Sequence, residues 1–165
     1  RTFEDLLLSI KNKGLKVKTA AANTDINIDP EINVQMLAPI SANYEDINNY
    51  SAVIKVSYKN NSFLFTGDAE TLSEKEILSN GFDIKADVLK VGHHGSNSST
   101  SSKFLQKVNP DFAVISVGLN NEYKHPHQAT IERLSSANVK IYRTDEHGTI
   151  IALSDGNTIR FETAK

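Results

Sequence analysis

Two short, nearly continuous apolar runs constrain the second half of this chain most strongly: ADVLKVG at 86–92 and DFAVISVG at 111–118. Runs of strand length that lack polar alternation are what a sheet covered on both faces requires. Each run is followed by a polar loop and then by apolar residues at helical spacing. These are Phe104, Leu105 and Val108 after the first run, and Ile131 and Leu134 after the second. Repeated strand–loop–helix order predicts the α/β class.

The neighbouring segments fit that frame. SAVIKVSY and NSFLFTG read as a strand pair turning at Lys59-Asn60-Asn61, and a helix follows Asp68 and ends near Gly81. KIYRT reads as a strand, and GTIIALSDGNTIRFET as a hairpin turning at Asp155-Gly156. At the start, Thr2 and Asp5 resemble a capping box, Phe3, Leu6, Leu7 and Ile10 follow at helical spacing, and Gly14 stops the helix. Residues 15–38 read as short strands ending in INVQMLAP, and 40–49 as a polar loop.

A chain of 165 residues is expected to form one domain, 1–165, burying roughly 70% of its unfolded surface. Eighteen Lys and Arg stand against 20 Asp and Glu, which argues against a globally basic nucleic-acid coat protein and leaves a local basic strip open. Lys90, Lys103, Lys107 and Lys124 are candidates for such a strip, against the plainer reading of solvated lysines. With no cysteine there is no disulfide framework, zinc finger or thiolate nucleophile. No apolar run is long enough to cross a bilayer, and RTFEDLLLSIKNKG reads as an amphipathic helix, not a signal peptide. A start at Arg1 without Met points to sequence upstream.

The chain has only five histidines, and their placement is informative. His93 and His94 follow the first buried run, Asp68 follows FLFTG, and His125 lies in the loop after the second buried run. Three strands thus deliver ionisable side chains at their C-terminal ends, where α/β sheets place their sites. The plainer reading makes each a loop residue, with Asp68 as a helix cap. Pro126 suits the first turn of a helix, with His125 at its N-terminus where free N–H groups favour an anion. Ser96, Ser99 and Thr100 could bind phosphate oxygens, although capping the next helix is the better reading for Ser99 and Thr100. His127 reads as a solvent-facing helix residue, and His147 carries no assigned chemistry. A Ser/His/Asp hydrolase built on Ser96 is disfavoured, because the chain has no G-x-S-x-G elbow.

The ordered motifs T-G-D, H-H-G-S and N-x-Y-x-H-P, set in SAVIKVSYKNNSFLFTGDAE, ADVLKVGHHGSNSSTS, PDFAVISVGLNNEYKHP and YRTDEHGTI, resemble the second half of a metallo-β-lactamase-fold hydrolase. Within that family the nuclease-like domains of ComEC-type competence proteins and their stand-alone relatives are the most similar type. The resemblance covers about residues 48–153 and implies the C-terminal half of an αββα sandwich, a mixed sheet with flanking helices. It implies two divalent metal ions, zinc or alternatively manganese, and hydrolysis of a phosphodiester, DNA among the candidates, by a metal-bound hydroxide. Carried over by motif, Asp68 is the bridging carboxylate. His94, which precedes Gly95, is the metal-ligating histidine, and His93 and His125 face the substrate as catalytic residues. Ser96 and Lys124 are the substrate-binding candidates, and Asn49 and Ser51 match a structural position.

The H-x-H-x-D-H ligand set of the family is absent from these 165 residues, and no histidine precedes His93. The expectation is therefore a C-terminal half, inactive alone, that pairs with its missing N-terminal half or self-associates. The competing reading is a non-catalytic module of the same fold that binds a partner or nucleic acid. The resemblance favours an extracellular or membrane-associated setting and leaves a cytoplasmic one open.

Overall fold

A computed structural model describes residues 2–165. Strands β1 (Ile32–Ala38), β2 (Val53–Tyr58), β3 (Asn61–Phe65), β4 (Val88–Lys90), β5 (Phe112–Ile115) and β6 (Lys140–Arg143) form one sheet in sequential order. The β1–β2 and β2–β3 pairs are antiparallel, and the β3–β4, β4–β5 and β5–β6 pairs are parallel, so the sheet is mixed as expected. Helices α2 (Thr71–Ser79), α3 (Ser102–Val108) and α4 (Gln128–Ser136) supply the three parallel crossovers.

Alternation along the strands separates two faces. Leu37, Val53, Leu64, Leu89, Ala113 and Ile115 point to one side, where they pack with Ile77 of α2, Phe104, Leu105 and Val108 of α3, and Leu134 of α4. Phe104, Leu64 and Leu89 are fully buried there, each burial contributing on the order of 1.5–3 kcal/mol. The opposite face carries Val56, Phe63, Phe65, Val88 and Val114. The hairpin of β7 (Ile150–Ser154) and β8 (Ile159–Thr163) covers only part of it. Phe161 stacks on Tyr142 at 4.3 Å and packs on Phe112 at 4.8 Å. Between the hairpin and the sheet an apolar groove stays open, lined by Phe63, Phe65, Val114 and Ile150, and Phe65 is 45% exposed.

Several elements differ from the sequence reading. Residues 15–31 form no named strand, only isolated bridges at Asp25 and Asp29. Residues 22–25 meet the edge of β1 only through the Asp25–Gln35 bridge and the Asn23 N–H to the Met36 carbonyl, too few contacts for a ladder, and Val17 is exposed. Helix α1 (Thr2–Asn12) forms as its spacing predicts but buries none of its residues. The β2–β3 turn is narrower than read, because Asn61 is already in the strand. The hairpin loop is longer, running from Asp155 to Thr158. Among the described residues no helix is long and apolar enough to cross a membrane.

Candidate active site

The loops after β3, β4 and β5 converge at the C-terminal ends of three adjacent parallel strands. After β3 the chain turns through Gly67, whose φ of +53° is left-handed and whose Cα approaches Ser51 so closely that a Cβ would lie 3.0 Å from the Ser51 Cβ. The Ser51 hydroxyl accepts the Asp68 N–H at 3.0 Å, which fixes the aspartate at the strand end. Asp68 is not a helix cap. Asn49 performs that task from a distance, its Oδ1 accepting the N–H groups of Glu70 and Ser73 at the start of α2.

After β4, residues Gly92–Gly95 form a tight turn in which His93 and His94 both adopt left-handed backbone, with φ of 45° and 54°. Side chains rarely tolerate that region, and such strain concentrates at functional sites. Gly95, with φ of +84°, lies against Pro126 of the next loop, where a Cβ would sit 2.6 Å from the Pro126 Cβ. The His127 N–H donates to the Gly95 carbonyl at 3.0 Å and locks the two loops together.

The histidine side chains can be read by their partners. His94 Nδ1 lies 2.7 Å from the Ser116 carbonyl, which can only accept, so Nδ1 carries the proton. In the neutral ring Nε2 then keeps a lone pair, and it faces Asp68 Oδ1 at 3.6 Å. Two ligands of one tetrahedral ion with bonds of roughly 2.1 Å stand about 3.4 Å apart, so the pair fits the two sides of a single metal position. Both side chains are close to half-exposed, 43% for Asp68 and 49% for His94, and so remain open to a ligand. Among the described residues no group of three or more metal-ligating side chains occurs, so this chain offers an ion a partial donor set.

His93, His125 and His127 extend the cluster. The ring of His93 is 6.3 Å from His94 and 5.6 Å from His125, and His125 is 4.7 Å from His127. Burial, reinforced by the charges His127, His93 and His94 can carry, pushes the His125 imidazole below its ordinary pKa. Asn121 accounts for the spacing of N-x-Y-x-H-P. Its side chain accepts the His125 N–H at 2.9 Å and donates to the His125 carbonyl at 2.7 Å, bracketing that residue. The His125-Pro126 peptide is cis, and Tyr123 stacks on the His125 ring at 5.8 Å.

The remaining candidates fall in different places. Ser96 is buried, and its hydroxyl pairs with that of Ser98 at 2.9 Å. Lys124 is exposed on the loop beside His125. Lys90 leaves the proposed basic strip: it turns into the apolar groove and donates to the Val91 carbonyl at 3.0 Å, and burial lowers its pKa. Lys103 and Lys107 stay exposed on α3.

Ser99 and Thr100 do not cap α3. The cap is Ser101, while Ser99 donates to the Ala69 carbonyl and Thr100 accepts the Gly92 N–H. Pro126 precedes α4 by two residues instead of occupying its first turn, so His125 is not at the helix end. His127 is the half-buried N-cap residue, its Nδ1 accepting the Asn97 N–H at 3.0 Å. Glu70, which follows Asp68 by two residues, was not singled out by sequence reasoning, yet its carboxylate lies 3.3 Å from His93 Nδ1.

Residues 42–118 match the profile of the metallo-beta-lactamase superfamily. These residues belong to that superfamily. ComE operon protein 3 of Bacillus subtilis is 36% identical over 147 residues, 89% of this chain and 19% of that protein. Competence protein ComA of Neisseria gonorrhoeae is 37% identical over 120 residues, 72% of this chain and 17% of its own. Recombination protein 2 of Haemophilus influenzae is 40% identical over 119 residues, 72% of this chain and 15% of its own. The chain spans about a fifth or less of the length of these relatives. The superfamily match covers Asp68, His93 and His94, while His125 and His127 lie beyond it.

Proposed function

We infer that this chain supplies part of the site of a metal-dependent hydrolase acting on phosphodiesters. The observation that carries the reading is the 3.6 Å approach of Asp68 Oδ1 to His94 Nε2, with the Ser116 carbonyl holding a ring proton on Nδ1 so that the neutral ring offers Nε2 as a second donor. In the complete site these two side chains would hold a divalent ion, zinc or manganese by their donor type. Such an ion, when bound, supplies Lewis acidity to a phosphoryl oxygen and lowers the pKa of water.

The other residues act around that position. His93 and His125 present imidazoles on the side of the phosphate, where each donates a hydrogen bond to a non-bridging or leaving oxygen when its facing nitrogen carries a proton and accepts a proton when it does not. The depressed pKa of His125 favours a neutral donor in the empty site, and the negative charge of a phosphodiester pulls it back toward protonation. Lys124 and the Ser96 segment border this region, and DNA is one of the phosphodiesters they would meet.

The partial donor set and the open apolar groove together support reading residues 1–165 as the C-terminal portion of an αββα sandwich. An N-terminal half would cover the groove and complete the ligands. An exposed apolar face of this kind otherwise finds a second copy. Hydrolysis of bis(p-nitrophenyl) phosphate by the protein joined to its N-terminal half tests the reading. Cleavage that Asp68→Ala abolishes supports it. Cleavage unaffected by Asp68→Ala contradicts the role assigned to Asp68, and a complete protein that neither binds metal nor cleaves is a non-catalytic binding module.

A further inference from the structure

Glu70 has no part in the roles assigned above, yet its Oε1 is the meeting point of three groups. The Ser98 hydroxyl donates to it at 2.8 Å, the Asn48 amide at 3.4 Å, and His93 Nδ1 lies 3.3 Å away. Ser98 Oγ also lies 3.5 Å from His93 Nδ1. An ionised carboxylate only accepts, and Ser98 has one hydroxyl proton, already directed at Glu70. His93 Nδ1 therefore faces acceptors from both neighbours, and the imidazole nitrogen that fits there carries the proton.

The carboxylate is itself held in place. The Glu70 N–H donates to Asn49 Oδ1 at 3.3 Å at the start of α2, so the backbone beneath it is anchored. The His93 and Glu70 side chains are 24% and 20% exposed, sheltered enough for an ion pair or charge-assisted hydrogen bond to persist. His93 stands on left-handed backbone in a four-residue turn, where local geometry alone does little to fix its ring.

We propose that Glu70 is a positioning residue: with Ser98 as a second tether, it holds His93 in the Nδ1–H tautomer and leaves Nε2 as the nitrogen available to substrate. The proposal rests on the hydrolase reading for its consequence, but not for its geometry. Partners of this kind behind a metal-ligating histidine sustain about 10–100-fold in affinity or activity, and an effect of the same order is expected for a substrate-facing one.

The test is the tautomer itself, read from long-range 1H–15N correlations of the metal-free, 15N-labelled full chain above the histidine titration range. The expected result is a protonated Nδ1 for His93 in the parent chain. Glu70→Gln and Glu70→Ala should shift it toward Nε2–H with an unchanged unfolding midpoint, and Ser98→Ala should shift it part of the way. In the metal-loaded protein joined to its N-terminal half, Glu70→Gln should lower kcat about 10–100-fold with little change in KM. An Nε2–H tautomer in the parent, or one tautomer shared by the parent and both Glu70 variants, overturns the proposal. So does a loss of metal affinity in Glu70→Gln equal to that of Asp68→Ala, which would make Glu70 a ligand. No phosphodiester cleavage by the metal-loaded protein joined to its N-terminal half, with the tautomer shift intact, removes the hydrolase reading and leaves the assignment of Glu70 standing.

Discussion

Asp68 and His94 come from loops 26 residues apart, and their facing atoms stand 3.6 Å from one another. That separation is too long for a hydrogen bond and close to the spacing of two ligands on one ion. Each atom is brought there by a backbone contact of its own. Ser51 accepts the Asp68 N–H, and the Ser116 carbonyl takes the proton on His94 Nδ1. The pair is thus aimed by groups on β2 and β5 flanks, and the aim does not depend on a bond between the two side chains.

Gly95 is the tightest point of the site. Gly95→Ala would set a methyl carbon 2.6 Å from Pro126 at a backbone φ of +84°. Overpacking against a fixed loop costs about 1–3 kcal/mol, and the left-handed conformation adds to it. A lowered denaturation midpoint should accompany altered His93 and His94 resonances. An unchanged midpoint would show that the 92–95 and 123–127 loops can separate freely.

Asn121→Ala removes the acceptor of the His125 N–H and the donor to its carbonyl in one step. Net hydrogen-bond contributions predict a loss of about 1–3 kcal/mol, concentrated in the 118–127 loop. Hydrogen exchange should quicken at His125 and Lys124 while the β4 and β5 amides stay protected. Equal loss of protection across the sheet would contradict a local role.

Glu74 of α2 is buried, and its carboxylate accepts the Thr100 and Ser101 N–H groups, the latter at 2.9 Å. Burial outweighs those bonds and the nearby Arg133, and raises its pKa above the ordinary 4.5. The folded state then holds this proton to higher pH than the unfolded chain does. Its contribution to stability is full below about pH 4.5 and is lost as pH rises through the folded value. Glu74→Gln should flatten that decline in urea midpoints measured from pH 4 upward. A decline of unchanged slope would place its origin elsewhere.

Much of the fold was legible because its strands and helices follow simple periodicities. ADVLKVG and DFAVISVG contain the central parallel strands, and Phe104, Leu105, Val108 and Leu134 are the helical residues that cover them. Residues 15–31 were not legible, because they touch the edge of β1 at a few points and form no continuous ladder along it. At the site, T-G-D, H-H-G-S and N-x-Y-x-H-P marked the right loops. What they concealed were contacts between residues distant in sequence, such as Asn49 at the start of α2 and Asn97 on His127. Glu70 is the instructive omission. The carboxylate in T-G-D-A-E was visible, but nothing local says that its partner is a histidine 23 residues later.

Metal affinity tests the central claim most directly. Zinc or manganese should be titrated calorimetrically into the protein joined to its N-terminal half, and into its Asp68→Ala and His94→Ala variants. The account predicts that each variant loses about tenfold or more in affinity, with the fold and unfolding midpoint retained. Metal binding of equal strength in the parent and both variants would show that Asp68 and His94 are not ligands.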